Sequence, residues 1–214
     1  MTRVIVFDFD GVIVPSEPLK QSGYERIFSE FGEQVPFAAI AAARKDAAAH
    51  KSRVDVIRAI LVAMHYGGDL EAAVSEYVAR YGRVVDEPIR RLVVREESRA
   101  LLERLFATYP LYINSNTLDE PLHETLRVFD IEKFFTGVYG ASMSKLDSLR
   151  QIAAHEKAAP GEIVFIGDGE GDRAAATEFG CRFIGIATDL NGWHLQEAPF
   201  PVVDSVRAIE QYIV

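Results

Sequence analysis

The chain has 214 residues, with 23 basic against 32 acidic side chains and a formal net charge of −9. Hydrophobic residues make up 49% and charged residues 26%, which excludes fibrous, low-complexity and wholly disordered classes. The acidic balance argues against a nucleic-acid partner, and no apolar run approaches the roughly 20 residues that cross a bilayer, so no membrane partner is expected either.

Residues 3–7 are a short β-branched run that ends at Asp8, the pattern of a strand buried on both faces. Where a signal peptide would continue its apolar region, Asp8 and Asp10 intervene. Residues 15–90 hold no strand pattern. Helical stretches are expected at 19–31, over 38–49 with its eight alanines, at 54–64 and at 70–81. Tyr66, Tyr77 and Tyr81 should pack inside this helical segment. From residue 91 the pattern alternates. A helix is expected at 99–107 and a strand at 111–113, which runs into Asn114-Ser115-Asn116. A helix follows at 122–129, with Thr117 and Glu120 as a capping box. The next helix spans 145–157 with Ser144 and Asp147 as a second box. A strand at 162–166 leads into Gly167-Asp168, and a short helix at 172–179 ends at Gly180. A strand at 182–187, a short one at 202–203 and a final helix at 205–212 capped by Asp204 complete the chain.

Strands alternating with helices predict an α/β fold with a doubly wound, Rossmann-like parallel sheet, covered on both faces. Residues 1–14 and 91–214 form this core, and 15–90 read as an inserted all-helical cap. Right-handed crossovers bring the strand C-terminal ends to one edge, so Asp8, Ser115, Asp168 and Asp189 should converge there. The charges of the insertion nearly balance, and the acidic excess lies in the core. A single cysteine, Cys181, permits no intramolecular disulfide. The expected setting is cytoplasmic, and the expected assembly a monomer or small homo-oligomer.

Four signals carry chemistry. Asp8 and Asp10, at the end of a buried strand, would repel one another unless a cation or hydrogen-bond donors satisfy them. Asp168 and Asp172 follow another buried strand among three glycines, Gly167, Gly169 and Gly171, whose spacing is not that of a dinucleotide-binding loop. Four carboxylates in one crevice invite a hard divalent cation, and Mg²⁺ suits carboxylates paired with a substrate phosphate. Lys145 falls in the first turn of a helix, where the macrodipole disfavours a cation but a nearby cluster of carboxylates and a phosphate would welcome one. Ser115 and Asn116 follow a central strand and can hydrogen-bond phosphate oxygens; the G-x-S-x-G elbow of a serine nucleophile is absent. The histidines at 50, 65, 123, 155 and 194 show no zinc-ligand spacing. Trp193 and Phe200 read as packing residues.

In this order Asp8-Phe9-Asp10-Gly11-Val12, Ser115 with Asn116, Lys145, and Gly167-Asp168 through Asp172 resemble the haloacid dehalogenase-like superfamily. The resemblance is to members with a helical (C1-type) cap, such as phosphoglycolate phosphatase and β-phosphoglucomutase. It covers the whole sheet domain, and residues 134–140 look like the family's segment between its second and third motifs. The resemblance implies that Asp8 is the nucleophile and a Mg²⁺ ligand. Asp10 would be general acid and then general base, with its carbonyl on the metal. Ser115 and Lys145 would hold the phosphoryl group. Asp168 would ligate Mg²⁺, and Asp172 would support the metal's waters or orient Lys145. An acid at Asp10 implies phosphoryl transfer, because a halide leaving group needs no proton. Gly11 and Asn116 would line the substrate site. Three departures are Pro15 where relatives often carry Asp, Leu146 where Pro is frequent, and Gly169 where Thr or Ser is common.

In the insertion, Arg44, Lys45, Lys51, Arg53 and Arg58 outnumber Asp46 and Asp55. Lys51 and Arg53, at a helix junction expected to face the core, are the first candidates for an anionic or polyhydroxylated substrate; Glu17 and Lys20 are weaker ones near the hinge. The expected activity is a Mg²⁺-dependent phosphatase acting on a small phosphate ester. The alternatives are a phosphomutase using the same residues, a receiver-type phospho-accepting module, and an inert binding descendant.

Overall fold

The computed structural model describes residues 1–34, 52–195 and 197–213. Among these, β1 (Val4–Phe7), β2 (Leu111–Asn114), β3 (Gly137–Tyr139), β4 (Ile163–Gly167), β5 (Arg182–Ile186) and β6 (Val202–Val203) form one sheet. The strand order is β3-β2-β1-β4-β5-β6 and every pairing is parallel. The doubly wound α/β class is therefore correct. The alternation within β1 shows why its residues are apolar throughout. Ile5 and Phe7 join the core on one face, while Val4 and Val6 join the core on the other.

The helices that cover the sheet lie on both faces. On the face of Ile5 and Phe7, α4 (Glu96–Phe106) buries Leu101, Leu102 and Leu105, and α5 (Asp119–Val128) buries Leu122 and Leu126. On the opposite face, α6 (Lys145–Glu156) buries Leu149 and Ile152, and α7 (Glu170–Phe179) buries Ala175 and Ala176. Gly180 takes φ +83° after α7, the left-handed stop that its position requires. Trp193 and Phe200 pack edge-on with Phe183, at ring separations of 5.9 and 5.1 Å, as packing residues should.

Before the second strand the chain builds a separate helical core. Here α1 (Glu17–Ile27), α2 (Arg53–Ala63) and α3 (Leu70–Arg90) enclose Tyr24, Phe28, Ile57, Ile60, Tyr77, Tyr81 and Val85. Ser52 and Asp55 make a capping box at the start of α2, and Asp69 caps α3. No described helix is long and apolar enough to cross a membrane.

Several local expectations need correction. The helix expected at 19–31 is α1, followed by a 3₁₀ turn over Ser29–Gln34. The helix expected at 70–81 continues to Arg90, because its buried stripe runs on through Val85 and Ile89 past Gly82. β3 has no counterpart in the sequence reading. It is a three-residue, half-buried edge strand that starts at a glycine. Thr117 and Glu120 do not cap α5, whose N-cap is Leu118 without a side-chain bond. Residues 206–212 wind as a 3₁₀ helix, and no side-chain bond caps it. Tyr66 is exposed at 40%, unlike Tyr77 and Tyr81, which are buried. The alanine-rich stretch 38–49, His50 and Lys51 lie outside the described residues.

Candidate active site

The crevice lies where β1, β2 and β4 end. The ladder between β1 and β4 runs one residue past Phe7, with the Asp8 amide donating to the Ile166 carbonyl at 2.8 Å. The chain then turns sharply around buried Phe9, whose carbonyl accepts from the Ile13 and Val14 amides. Gly11 sits in this turn at φ +77°, and a Cβ there would come within 2.0 Å of Asp168 Oδ2. Glycine is thus required twice over, by its backbone and by the carboxylate packed against it. Gly167 plays the same part for Asp172, whose Cβ would lie 2.4 Å from an added one.

On one side of the crevice Lys145 is the centre. It opens α6, and Asn114 Nδ2 ties its carbonyl to the end of β2 at 2.9 Å. Its Nζ ion-pairs with Asp172 Oδ1 and lies 3.0 Å from Asp8 Oδ2. Burial works against the ammonium, but Asp172 and Asp8 outweigh it and raise the Lys145 pKa. Asp172 Oδ2 accepts from the Gly169 amide at 2.9 Å, which fixes the carboxylate that orients the lysine. Asp8 Oδ1 accepts from the Phe9 amide at 2.7 Å. Burial pushes the Asp8 carboxyl up to about 7 against the pull of Lys145, with Asp172 and Asp10 adding to the rise. Asp168 is raised too, by burial first and then by Asp8 and Glu17. Carboxylate oxygens of Asp8, Asp168 and Asp172 lie within 4.8 Å of one another.

On the other side Asp10 stands apart from that cluster. Its Oδ1 accepts from the Ser16 hydroxyl, and its Oδ2 ion-pairs with Lys20 and accepts from Thr117 Oγ1 at 2.8 Å. Lys20 Nζ also donates to Thr117 Oγ1 at 2.9 Å. Burial alone would raise Asp10, but the Lys20 charge and the three donors hold it below the usual carboxylate range. Thr117 is positioned by its own amide, which donates to Ser115 Oγ at 3.2 Å. Ser115, almost fully buried, is fixed by its amide on the Tyr139 carbonyl at 2.9 Å.

Of the residues singled out from sequence, Asp8, Asp10, Gly11, Ser115, Lys145, Asp168 and Asp172 come together at this edge, and Asn116 follows Ser115 there. The Asn116 side-chain oxygen is buried without a hydrogen-bond partner among the described residues. Arg53 is placed elsewhere. It is buried in the helical unit, bidentate on Asp86 at 2.8 and 3.1 Å and stacked 5.0 Å over the Tyr81 ring. Both terminal nitrogens are thus committed inside the unit. Ser16 and Thr117 were missed. Their only sequence signal is a hydroxyl six residues after Asp10 and another two residues after Ser115. Lys20, the weaker candidate, reaches the site.

The donor set fits a hard divalent cation. Three buried carboxylates face one lysine, so negative charge is left over, and every candidate ligand atom is oxygen. The Asp10 carboxylate does not belong to this group, which leaves its carbonyl for the role the resemblance assigned.

The sequence matches the family model of haloacid dehalogenase-like hydrolases over residues 5–186. Among curated proteins none matches the chain. Solved structures with the same fold include a β-phosphoglucomutase from Clostridium difficile, with a TM-score of 0.79 at 16% identity, covering 100% of this chain and 96% of that one. A predicted phosphoglycolate phosphatase from Haemophilus somnus has a TM-score of 0.75 at 17% identity, covering 100% and 98%. A magnesium-bound putative hydrolase of this family from Bacillus subtilis has a TM-score of 0.72 at 15% identity, covering 99% and 98%.

Proposed function

The chain belongs to the haloacid dehalogenase-like hydrolases, and from that premise we propose that it is a Mg²⁺-dependent phosphatase. Its substrate is a small phosphorylated metabolite, either a sugar phosphate or a phosphoglycolate-like acid, and its intermediate is an aspartyl-phosphate. The observation that carries this reading is the division of labour between two aspartates two residues apart. Asp8 lies on Lys145 beside the acid cluster, while Asp10 is turned away onto Ser16, Lys20 and Thr117. Phosphoryl transfer to an aspartate needs a nucleophile and a separate proton carrier, and halide displacement needs only the first.

In the first half-reaction an Asp8 carboxylate oxygen bonds to phosphorus. The bond from phosphorus to the leaving oxygen breaks, and Asp10, ionised in the free site and protonated as the ester binds, gives that oxygen this proton. In the second, Asp10 takes a proton from water as the water oxygen bonds to phosphorus, and the bond to Asp8 breaks, restoring the free carboxylate. Lys145 and the Ser115 hydroxyl hold the equatorial oxygens. Asp172 keeps Lys145 in place. Asp8, Asp168 and the Asp10 carbonyl would hold Mg²⁺, which offsets the negative charge of phosphate and carboxylates. Residues 15–90 act as a cap that limits the crevice to small esters and sets specificity. The single free cysteine supports a cytoplasmic setting.

The test is phosphate release from a panel of sugar phosphates, phosphoglycolate and nucleotides, with Mg²⁺, with EDTA and with Asp8→Asn. Metal-dependent release that the variant loses is the expected result. No release from any compound, with no metal-dependent phosphate adduct trapped on Asp8, would overturn the reading. An adduct that passes its phosphate to a sugar rather than to water would make the protein a mutase.

A further inference from the structure

Lys20 is a core-facing residue of the helical unit, and three features of its setting are unusual. It lies on α1, outside the sheet domain, yet its ammonium pairs with the buried carboxylate of Asp10. It also donates to Thr117, which itself donates to Asp10, so carboxylate, ammonium and hydroxyl close a three-membered ring of hydrogen bonds. Its backbone is anchored from behind, since Tyr81 on α3 donates from its hydroxyl to the Lys20 carbonyl at 3.1 Å. That tyrosine is held in turn, with its ring 4.4 Å from that of Tyr24 and under the Arg53 guanidinium, which Asp86 clamps. A surface lysine would gain little from any of this. Here the lysine side chain is only 16% exposed, and burying a cation beside a single acid is costly unless the geometry is held.

We propose that Lys20 is a positioning residue for Asp10. It fixes the Asp10 carboxylate on the leaving-oxygen side, through contacts that exist only while the helical unit is seated on the sheet domain. The row Asp86–Arg53–Tyr81–Lys20–Asp10 then links the interior of the helical unit to the group that moves the proton. A cap that swings away takes Lys20 with it and leaves Asp10 to Thr117 and to Ser16 at the hinge, just before α1. Proton transfer to the leaving group is therefore organised only with the cap in place. The inference rests on the phosphatase reading above and adds to it a residue from outside the sheet domain.

The experiment compares two aryl esters of nearly the same shape. p-Nitrophenyl phosphate has a leaving oxygen that departs without a proton, whereas phenyl phosphate has one that needs it. Release of the phenol is followed in a single turnover with Mg²⁺ for the wild type, Lys20→Met and Lys20→Arg. If Lys20 positions Asp10, Lys20→Met slows release from phenyl phosphate by about 10²-fold, the scale of general acid catalysis. Release from p-nitrophenyl phosphate then falls less than about 5-fold, and Lys20→Arg recovers much of the loss. Amide exchange in the metal-free protein supplies a readout apart from activity: residues 17–27 should exchange faster in Lys20→Met, while β1 and β4 stay unchanged. Equal losses on both esters would mean that Lys20 binds phosphate or merely supports the fold, and would overturn the proposal; so would no loss on either. A wild type that releases neither phenol, nor phosphate from any ester of the panel above, takes the phosphatase reading down as well, whereas an active wild type with undiscriminating variants removes the Lys20 assignment alone.

Discussion

The crevice contains two lysines on aspartates, Lys145 buried and Lys20 largely so, and they are built for opposite ends. Around Lys145 three carboxylates meet one ammonium, so the region carries unbalanced negative charge, and burial with neighbouring acids pushes Asp8 and Asp168 upward in pKa. Around Lys20 one carboxylate meets one ammonium and two hydroxyls, the charges cancel, and the acid is held low. The first arrangement is strained until something positive arrives; the second is complete on its own. A lysine–aspartate contact thus says little by itself. The neighbours decide whether it is a binding site waiting for charge or a fixed positioning device.

The largest expected effect breaks the Lys145 side. Asp8→Asn removes the proposed nucleophile while keeping the shape, and turnover should fall by at least about 10⁴-fold in a phosphate-release assay, with the circular dichroism spectrum preserved. Next comes Lys145→Met. It strands Asp8 and Asp172 without their cation, and kcat should drop by about 10³-fold. Thermal denaturation of the metal-free variant would show a lower midpoint, because buried carboxylates lose their partner.

A third prediction sharpens the contrast through pH. Asp8 and Asp168 have folded-state pKa values above their unfolded ones, so they support the metal-free fold at low pH and this support is lost as pH rises through the folded value. Asp10, held low, behaves the other way: its contribution is present above the usual carboxylate pKa and is lost on acidification. Mg²⁺ should therefore raise the melting temperature more at about pH 8 than at about pH 5, where protons compete for the ligands. Asp168→Asn should remove most of that increment and raise the metal-free melting temperature by about 2–4 °C. A scanning calorimetry series with and without EDTA checks all three statements.

The smallest effect belongs to the Lys20 side. Tyr81→Phe deletes only the hydroxyl that holds the Lys20 carbonyl. A loss of about 1 kcal/mol is expected, together with a decrease in kcat of about 2- to 3-fold on esters that need leaving-group protonation. Equilibrium denaturation and steady-state kinetics on phenyl phosphate measure the two.

Much of the Lys145 side was legible in the sequence because Asp8 and Asp168 stand at the ends of short, wholly buried strands, with Asp172 four residues after the second. A strand buried on both faces has one pattern, and a carboxylate at its end has few places to be other than the sheet edge. The Lys20 side was less legible. Whether Thr117 caps a helix or binds Asp10 depends on how a loop after β2 approaches the turn after β1, which no local spacing encodes. Arg53 illustrates the same gap. Its basic neighbourhood suggested an anion site, but its partner Asp86 lies in a part of α3 beyond the helix end read from the sequence, so the internal ion pair could not be anticipated. β3 escaped because three residues at a sheet edge carry too little alternation to register.

The position of β1 in the sheet has a consequence for how the chain is made. β1 leaves the ribosome before its neighbours, yet it lies between β2 and β4, with Phe7 opposite Ile113 on one side and Ile166 on the other. Its parallel partners arrive only after the helical unit has been synthesised, and the second of them after β3 and α6 as well. Until then a fully apolar strand ending in two acids has no sheet to join. The helical unit has a hydrophobic core of its own and can form first. The nascent protein therefore carries Asp8 for most of its synthesis without Lys145 or Asp168, and the crevice is complete only late, when β4 docks.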